Sequence, residues 1–277
     1  MSSVIEKMSL SERLTYSTVL IKCKFSNGAL GTGTGFVINL CIDKVSNSCV
    51  PVIITNNHVV DGAIEIEFGF CKADDFGTPL DKEQIWIRCD LASWHHHPDS
   101  TVDLQCFPLA GLLTELTAKN ARLFYIPLDT ELIPSKKVIS ELSAMEDVVM
   151  LGYPRGISDE FNNKPVIRKG ITATHPKNDY RGKKDILLDI PAFPGSSGSP
   201  VFILNQGSFA TSNGIALGNR ILLLGVLYAG PMFTATGNLL FSNLPVIPTP
   251  VTQIPMNLGV IIKSERILEF EKLFKKK

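Results

Sequence analysis

Pro194-Gly195-Ser196-Ser197-Gly198-Ser199-Pro200 lies between two apolar runs, 185–190 and 200–204. Glycines on either side of a serine pair permit a tight backbone that presents a hydroxyl and turns two amides, those of Gly195 and Ser197, toward one point. On this segment alone two readings stand level: a nucleophile loop with an oxyanion hole, or a Gly/Ser turn joining two strands. The flanking runs belong to a wider rhythm. Val- and Ile-rich runs bounded by Gly, Pro, Asn or Asp recur at 18–25, 35–41, 51–55, 64–70, 85–89 and 102–107, then at 147–151, 166–173, 221–227 and 258–262. That is strand punctuation. No helical pattern of crossover length separates these runs, which argues against a parallel α/β sheet and for antiparallel barrels or sandwiches. The sequence therefore predicts an all-β chain in two strand-rich halves, 1–120 and 121–277, each near the size of a six-stranded antiparallel barrel.

Composition narrows the function classes. The 277 residues are 44% hydrophobic and 19% charged, with 27 basic residues against 27 acidic ones. A balanced charge offers no positive field for nucleic acid or an anionic membrane. No run of about 18 apolar residues occurs, and residues 1–20 lack the apolar core of a signal peptide, so the sequence predicts a cytoplasmic protein. Cys23, Cys41, Cys49, Cys71, Cys89 and Cys106 then read as reduced thiols; no Cys-x-x-Cys pair suggests structural zinc. His95, His96, His97 and Asp99 invite a metal, but successive strand residues face opposite ways, and a polar loop is the reading adopted. No cofactor or metal is expected. Only the tail reads as helix: Ser264 as N-cap, Ile267, Leu268, Phe270, Leu273 and Phe274 at helical spacing, packed on the second half. Residues 242–255, with four prolines, read as an irregular loop.

A serine nucleophile needs a base, and the base needs an orienting acid. His58 follows an apolar run within Ile54-Thr55-Asn56-Asn57-His58-Val59-Val60, and Asp103 stands between Val102 and Leu104. Together with Gly31-Thr32-Gly33-Thr34-Gly35-Phe36, Gly152-Tyr153-Pro154 and the segment 189–200, these residues resemble the trypsin/chymotrypsin superfamily, in particular its HtrA-like bacterial branch. The resemblance covers roughly residues 30–230. It implies two six-stranded trypsin-like barrels with the site between them, His58 as general base, Asp103 as orienting acid, Ser197 as nucleophile, and an oxyanion hole from Gly195 and Ser197. The substrate pocket it implies is lined by Pro191, Ala192, Leu227, Tyr228, Ala229 and Gly230. Pro191 stands where basic-specific relatives keep a carboxylate, and Leu227 where glutamate-specific ones keep a histidine, so the expected preference is a small or medium apolar residue. Asp189 reads as a structural acid. Ser196 replaces the aspartate that receives a zymogen's new α-ammonium group, and Ser199 replaces a glycine beside the nucleophile. A PDZ domain, usual in that branch, is not expected. The partners implied are a protein or peptide substrate and, if the triad is held misaligned, a regulatory chain. The rival reading is a catalytically silent or partner-activated peptide-binding, chaperone-like module on the same fold.

Overall fold

The computed structural model describes residues 2–211, 214–236 and 251–275. In the first half, β1 (Thr18–Phe25), β2 (Leu30–Asp43), β3 (Ser48–Thr55), β4 (Ala63–Ala73), β5 (Pro79–Arg88), β6 (His95–His96) and β7 (Gln105–Pro108) form a sheet in the order β5-β4-β1-β2-β3-β7-β6. Two short strands complete it: β8 (Leu123–Phe124) pairs with β4, and β9 (Leu128–Asp129) runs parallel to β2. In the second half, β10 (Asp147–Gly152), β11 (Val166–Thr172), β12 (Asp185–Asp189), β13 (Pro200–Asn205), β16 (Arg220–Ala229) and β19 (Leu258–Lys263) close into a six-stranded antiparallel barrel. Two hairpins leave it: β14 (Ser208–Thr211) with β15 (Gly214–Leu217), and β17 (Met232–Thr236) with β18 (Val251–Pro255).

Three apolar clusters explain why the strands read as nearly unbroken apolar runs. On β2 and β3, Val37 and Ile53 point into the core of the first half, with Val19, Ile21 and Phe68. Their neighbours Phe36, Ile38, Val52 and Ile54 point the other way and meet Leu151, Phe202, Leu223, Val226 and Ile262 of the second half. The second barrel repeats the division: Met150, Val201, Ile203 and Leu224 fill its own core. Strands with both faces buried lose the polar alternation of a half-exposed sheet. A third core is thus laid between two others.

The tail departs from expectation in two ways. A 3-10 helix spans Ser264–Phe270 and an α-helix Glu271–Phe274; Lys263 takes the N-cap place, with no side-chain cap. Ile267 and Phe270 bury themselves in the shared cluster with Phe36 and Leu40, so the tail packs against both halves. Glu271 Oε1 accepts the Cys41 amide at 3.0 Å, which ties it to the first half. Helices also occur where none was expected, at Leu10–Thr15, closed by a Ser9/Glu12 capping box, and at Ala110–Ala118. Short polar-faced helices carry too weak a period to read against a strand-rich background. Residues 251–255 form β18 instead of loop, paired with β17; the rest of the expected loop, 242–250, lies outside the described residues.

All six cysteines are free. Burial pushes the thiols of Cys23 and Cys106 up to about 12 and those of Cys71 and Cys89 up to about 11. Such thiols behave as small hydrophobes.

Candidate active site

β3 delivers its last residues into a single helical turn, Asn57–Val60, which lifts His58 to the cleft. Opposite it, the chain between β6 and β7 makes a tight turn at 99–104. Asn56 Nδ2 donates to the Asp103 carbonyl at 2.8 Å and Asn57 Nδ2 to the Val102 carbonyl at 3.2 Å, so the His58 turn grips the Asp103 turn by its backbone. The Asp103 carboxylate then meets His58 twice: Oδ1 accepts the backbone amide at 3.1 Å, and Oδ2 lies 2.5 Å from Nδ1. Each carboxylate oxygen thus meets its own nitrogen of His58, which fixes the imidazole plane.

The serine loop is built from two consecutive turns. Ser196 N donates to Phe193 O at 2.9 Å, and Ser199 N donates to Ser196 O at 3.1 Å. The third residue of each turn is glycine, Gly195 with φ +87° and Gly198 with φ +86°. A closing bond with positive φ at the third position describes a type II turn, which demands glycine there. Gly198 N donates to Leu227 O at 2.8 Å and Leu227 N to Ser199 O at 2.9 Å, which clips the loop to β16. Among the described residues, the amides of Gly195 and Ser197 donate to nothing within the protein, and no hydrogen bond joins Ser197 to His58. Ser197 is half-buried; Ser196 and Ser199 are buried, and their hydroxyls have no partner. Ser199 fits because Gly152 faces it: a side chain there would begin 2.0 Å from Ser199 Oγ.

Thr34 of β2, whose role sequence reasoning missed, joins the halves. Its amide donates to Ser197 O at 2.9 Å, its Oγ1 donates to Gly195 O at 3.0 Å, and the same Oγ1 accepts the Tyr153 amide at 3.0 Å. Its carbonyl accepts the Thr55 hydroxyl at 2.7 Å, two residues before the His58 turn. The signal was present in Gly31-Thr32-Gly33-Thr34-Gly35-Phe36: a hydroxyl between two glycines on a buried strand has no local use.

Of the expected pocket residues, Leu227 and Ala192 pack with Ile190 around Gly259. Gly230 lies against Ala192, where a side chain would meet Ala192 Cβ at 3.1 Å. Ala229 pairs with Val260 just past a bulge in β16. Tyr228, at that bulge, carries its hydroxyl to Asp185 Oδ2 at 2.8 Å and shares the wall of a cavity of about 240 Å³ with Asp103. Burial, then the Asp185 and Asp103 carboxylates, raise the Tyr228 phenol well above its ordinary range, and burial raises Asp185. Pro191 O accepts Arg168 Nη1 at 2.8 Å, and the guanidinium lies 5.0 Å from the Phe193 ring, a brace that sequence reasoning also missed. The Asp189 side chain is exposed. In the segment expected to be a polar loop, His95 and His96 instead form β6 against β7, while His97 Nδ1 accepts the Asp99 amide at 3.0 Å and Nε2 is 3.0 Å from Arg266 O. Among the described residues, no group of three or more His, Cys, Asp or Glu could hold a metal.

The trypsin-like peptidase domain matches residues 33–210, well over half of the chain. Among solved structures, the chain is similar to the HtrA-type protease AlgW with tripeptide, at 15% identity and TM-score 0.49, covering 94% of this chain and 60% of that one. It is similar to the Rv3671c protease from M. tuberculosis in its active form at 13% identity and TM-score 0.46, with coverages of 100% and 88%. Against the serine endoprotease from Yersinia pestis the identity is 15%, the TM-score 0.48 and the coverages 95% and 64%. The chain thus spans less than two thirds of the first and third of these. No curated protein matches it.

Proposed function

The chain belongs to the trypsin-like peptidase domain family, and on that premise we propose that it is a serine endopeptidase working through Ser197, His58 and Asp103. With Asp103 Oδ2 2.5 Å from His58 Nδ1, the favoured tautomer has Nδ1–H donating to the carboxylate and Nε2 free to accept. Nε2 takes the Ser197 proton as Oγ attacks the peptide carbonyl. The oxyanion that forms is received by the amides of Gly195 and Ser197, which have no competing acceptor. His58 passes the proton to the leaving amine, and water repeats the cycle on the acyl-enzyme. The observation that carries this reading is Thr34, which draws the serine loop of one half onto the strand pair that ends at His58 in the other.

A fluorophosphonate probe tests it. The probe is expected to label the wild type and not Ser197→Ala, and Ser197→Ala and His58→Ala should each lower kcat/KM on a cleaved peptide by at least about 10³-fold without lowering Tm. One observation favours a second reading, the partner-activated or silent module: Ser197 and His58 are not hydrogen-bonded to each other. Catalytic hydrogen bonds are often loose in the free enzyme, so labelling decides, and an unlabelled wild type gives the module reading.

Substrates in this proposal are proteins or peptides with a small or medium apolar residue before the cut, seated among Pro191, Ala192, Leu227, Ala229 and Gly230. Arg168 beside Pro191 adds a like charge against Lys or Arg. In a positional-scanning peptide library, Val, Ala or Leu should exceed Arg and Lys by about tenfold or more. A preference for Arg or Lys would bring Asp189 into the pocket, and one for Glu would bring in Arg168.

A further inference from the structure

A second cavity, of about 360 Å³, opens on the second half, and its lining includes none of the candidate site residues. Four lysines reach it, Lys136, Lys177, Lys184 and Lys263, against two carboxylates, Asp179 and Glu265. Both carboxylates are already engaged. Lys263, whose side chain is only 10% exposed, bonds Asp179 at 2.6 Å, and Lys184 bonds Glu265 at 2.5 Å. Lys136 and Lys177 have no carboxylate partner among the described residues. In a chain of formal net charge zero, two lysines without a carboxylate partner thus line one concavity. The remaining wall is formed by the apolar Pro134, Ile139 and Leu224 and by Ser140 and Ser264.

Converging like charges repel, and an anion of matching charge relieves the repulsion while an apolar body covers the apolar wall. The volume falls within the usual range for small-molecule sites, roughly 300–1,000 Å³. We propose that this cavity binds a small organic dianion, a phosphate monoester or a dicarboxylate, with its charged group among Lys136 and Lys177 and its apolar body against Ile139 and Leu224. The pairs Lys263–Asp179 and Lys184–Glu265 frame the site and leave the charge of the ligand to the other two lysines. Because none of these residues takes part in peptide hydrolysis, binding is measurable whether or not the chain cleaves peptides.

Calorimetric titration of the intact protein with phenyl phosphate and with phthalate, and with benzyl alcohol as the uncharged counterpart, is the direct test. One saturable site is expected for at least one of the dianions and none for the alcohol. The stronger of the two dianions identifies the anionic group. The double variant Lys136→Gln/Lys177→Gln should bind at least about fivefold more weakly, as expected for the loss of two exposed charge contacts. A measurement on the wild type covers the case in which the variant does not fold: the dianion that binds more tightly in calorimetry should slow reductive methylation of Lys136 and Lys177 relative to Lys7 and Lys119. The proposal is overturned by any of three results: no saturable binding of either dianion, unchanged affinity in the folded double variant, or methylation rates indifferent to the ligand.

Discussion

Asp99 shows how much of the site depends on a residue that takes no part in the chemistry. Its carboxylate accepts the Thr101 hydroxyl at 2.7 Å and the Thr101 amide at 3.0 Å, and Arg266 Nη2 lies 2.6 Å away. The Thr101 hydroxyl and amide, and then Arg266, hold this carboxyl well below the ordinary carboxylate range. The turn so closed leads directly into Asp103, and Arg266 anchors it to the C-terminal 3-10 helix. A carboxylate with a depressed folded-state pKa stabilises the protein above its unfolded value of about 3.9 and ceases to as pH falls through the folded value. Asp99→Asn should therefore lower Tm at pH 7, and the gap to the wild type should narrow as pH falls below about 4. Thermal melts of both proteins between pH 7 and pH 3 check this; a gap that stays constant would mean that the charge of Asp99 does no work.

At the scale of elements, the serine loop is a pair of turns that only glycine can close. A Cβ on Gly198 would stand 1.9 Å from Thr34 O and 2.5 Å from Thr55 Oγ1, and its φ of +86° is already unfavourable for any other residue by about 1–2 kcal/mol. Gly198→Ala should push the loop off β2. Peptide hydrolysis is expected to fall at least about hundredfold, since a displacement near 1 Å of a reacting group costs about that much, while the far-ultraviolet circular dichroism stays that of the wild type. Activity close to the wild type would show that the loop tolerates the shift. The loop was legible in the sequence because its glycines, serines and flanking prolines lie together, and the His58 turn was legible for the same reason. The Arg168–Pro191 and Tyr228–Asp185 bonds were not: Tyr228 was read only as a pocket residue, and each bond runs across the barrel between partners that adjacent letters do not announce. Neither strand of the β17–β18 hairpin was among the expected runs, and proline punctuation hid the five residues of the second, whose pairing lies in 232–236. The tail helix was visible as a period, but its burial in the cluster shared by both halves requires knowing where Phe36 and Leu40 point.

For the whole molecule, the question is what sets one half against the other to the precision that chemistry needs. The shared apolar cluster supplies adhesion, but burial is non-directional and would tolerate sliding by a fraction of an ångström. Direction comes from the hydrogen bonds of Thr34, buried without exposure, to Ser197, Gly195 and Tyr153 on the far side and from Thr55 on the near side. Thr34→Val keeps the shape and removes the oxygen. The Tyr153 amide then loses its acceptor in a buried setting, at a cost of about 1–3 kcal/mol, and the Gly195 carbonyl is released. Gly195 also carries, across its Cα from that carbonyl, one of the two amides proposed to receive the oxyanion, so releasing the residue should act on the transition state more than on substrate binding: kcat is expected to fall roughly ten- to hundredfold with KM little changed, within the loss known for one misplaced oxyanion donor. Thr34→Ser restores both oxygen-mediated bonds and should recover most of kcat, a rescue that adhesion alone would not predict. Steady-state kinetics and melting curves of the two variants separate the possibilities. If Thr34→Val loses Tm but keeps kcat, the hydroxyl merely fastens the halves together; if both fall and serine returns both, the bond that joins the halves is also the one that aims the oxyanion hole.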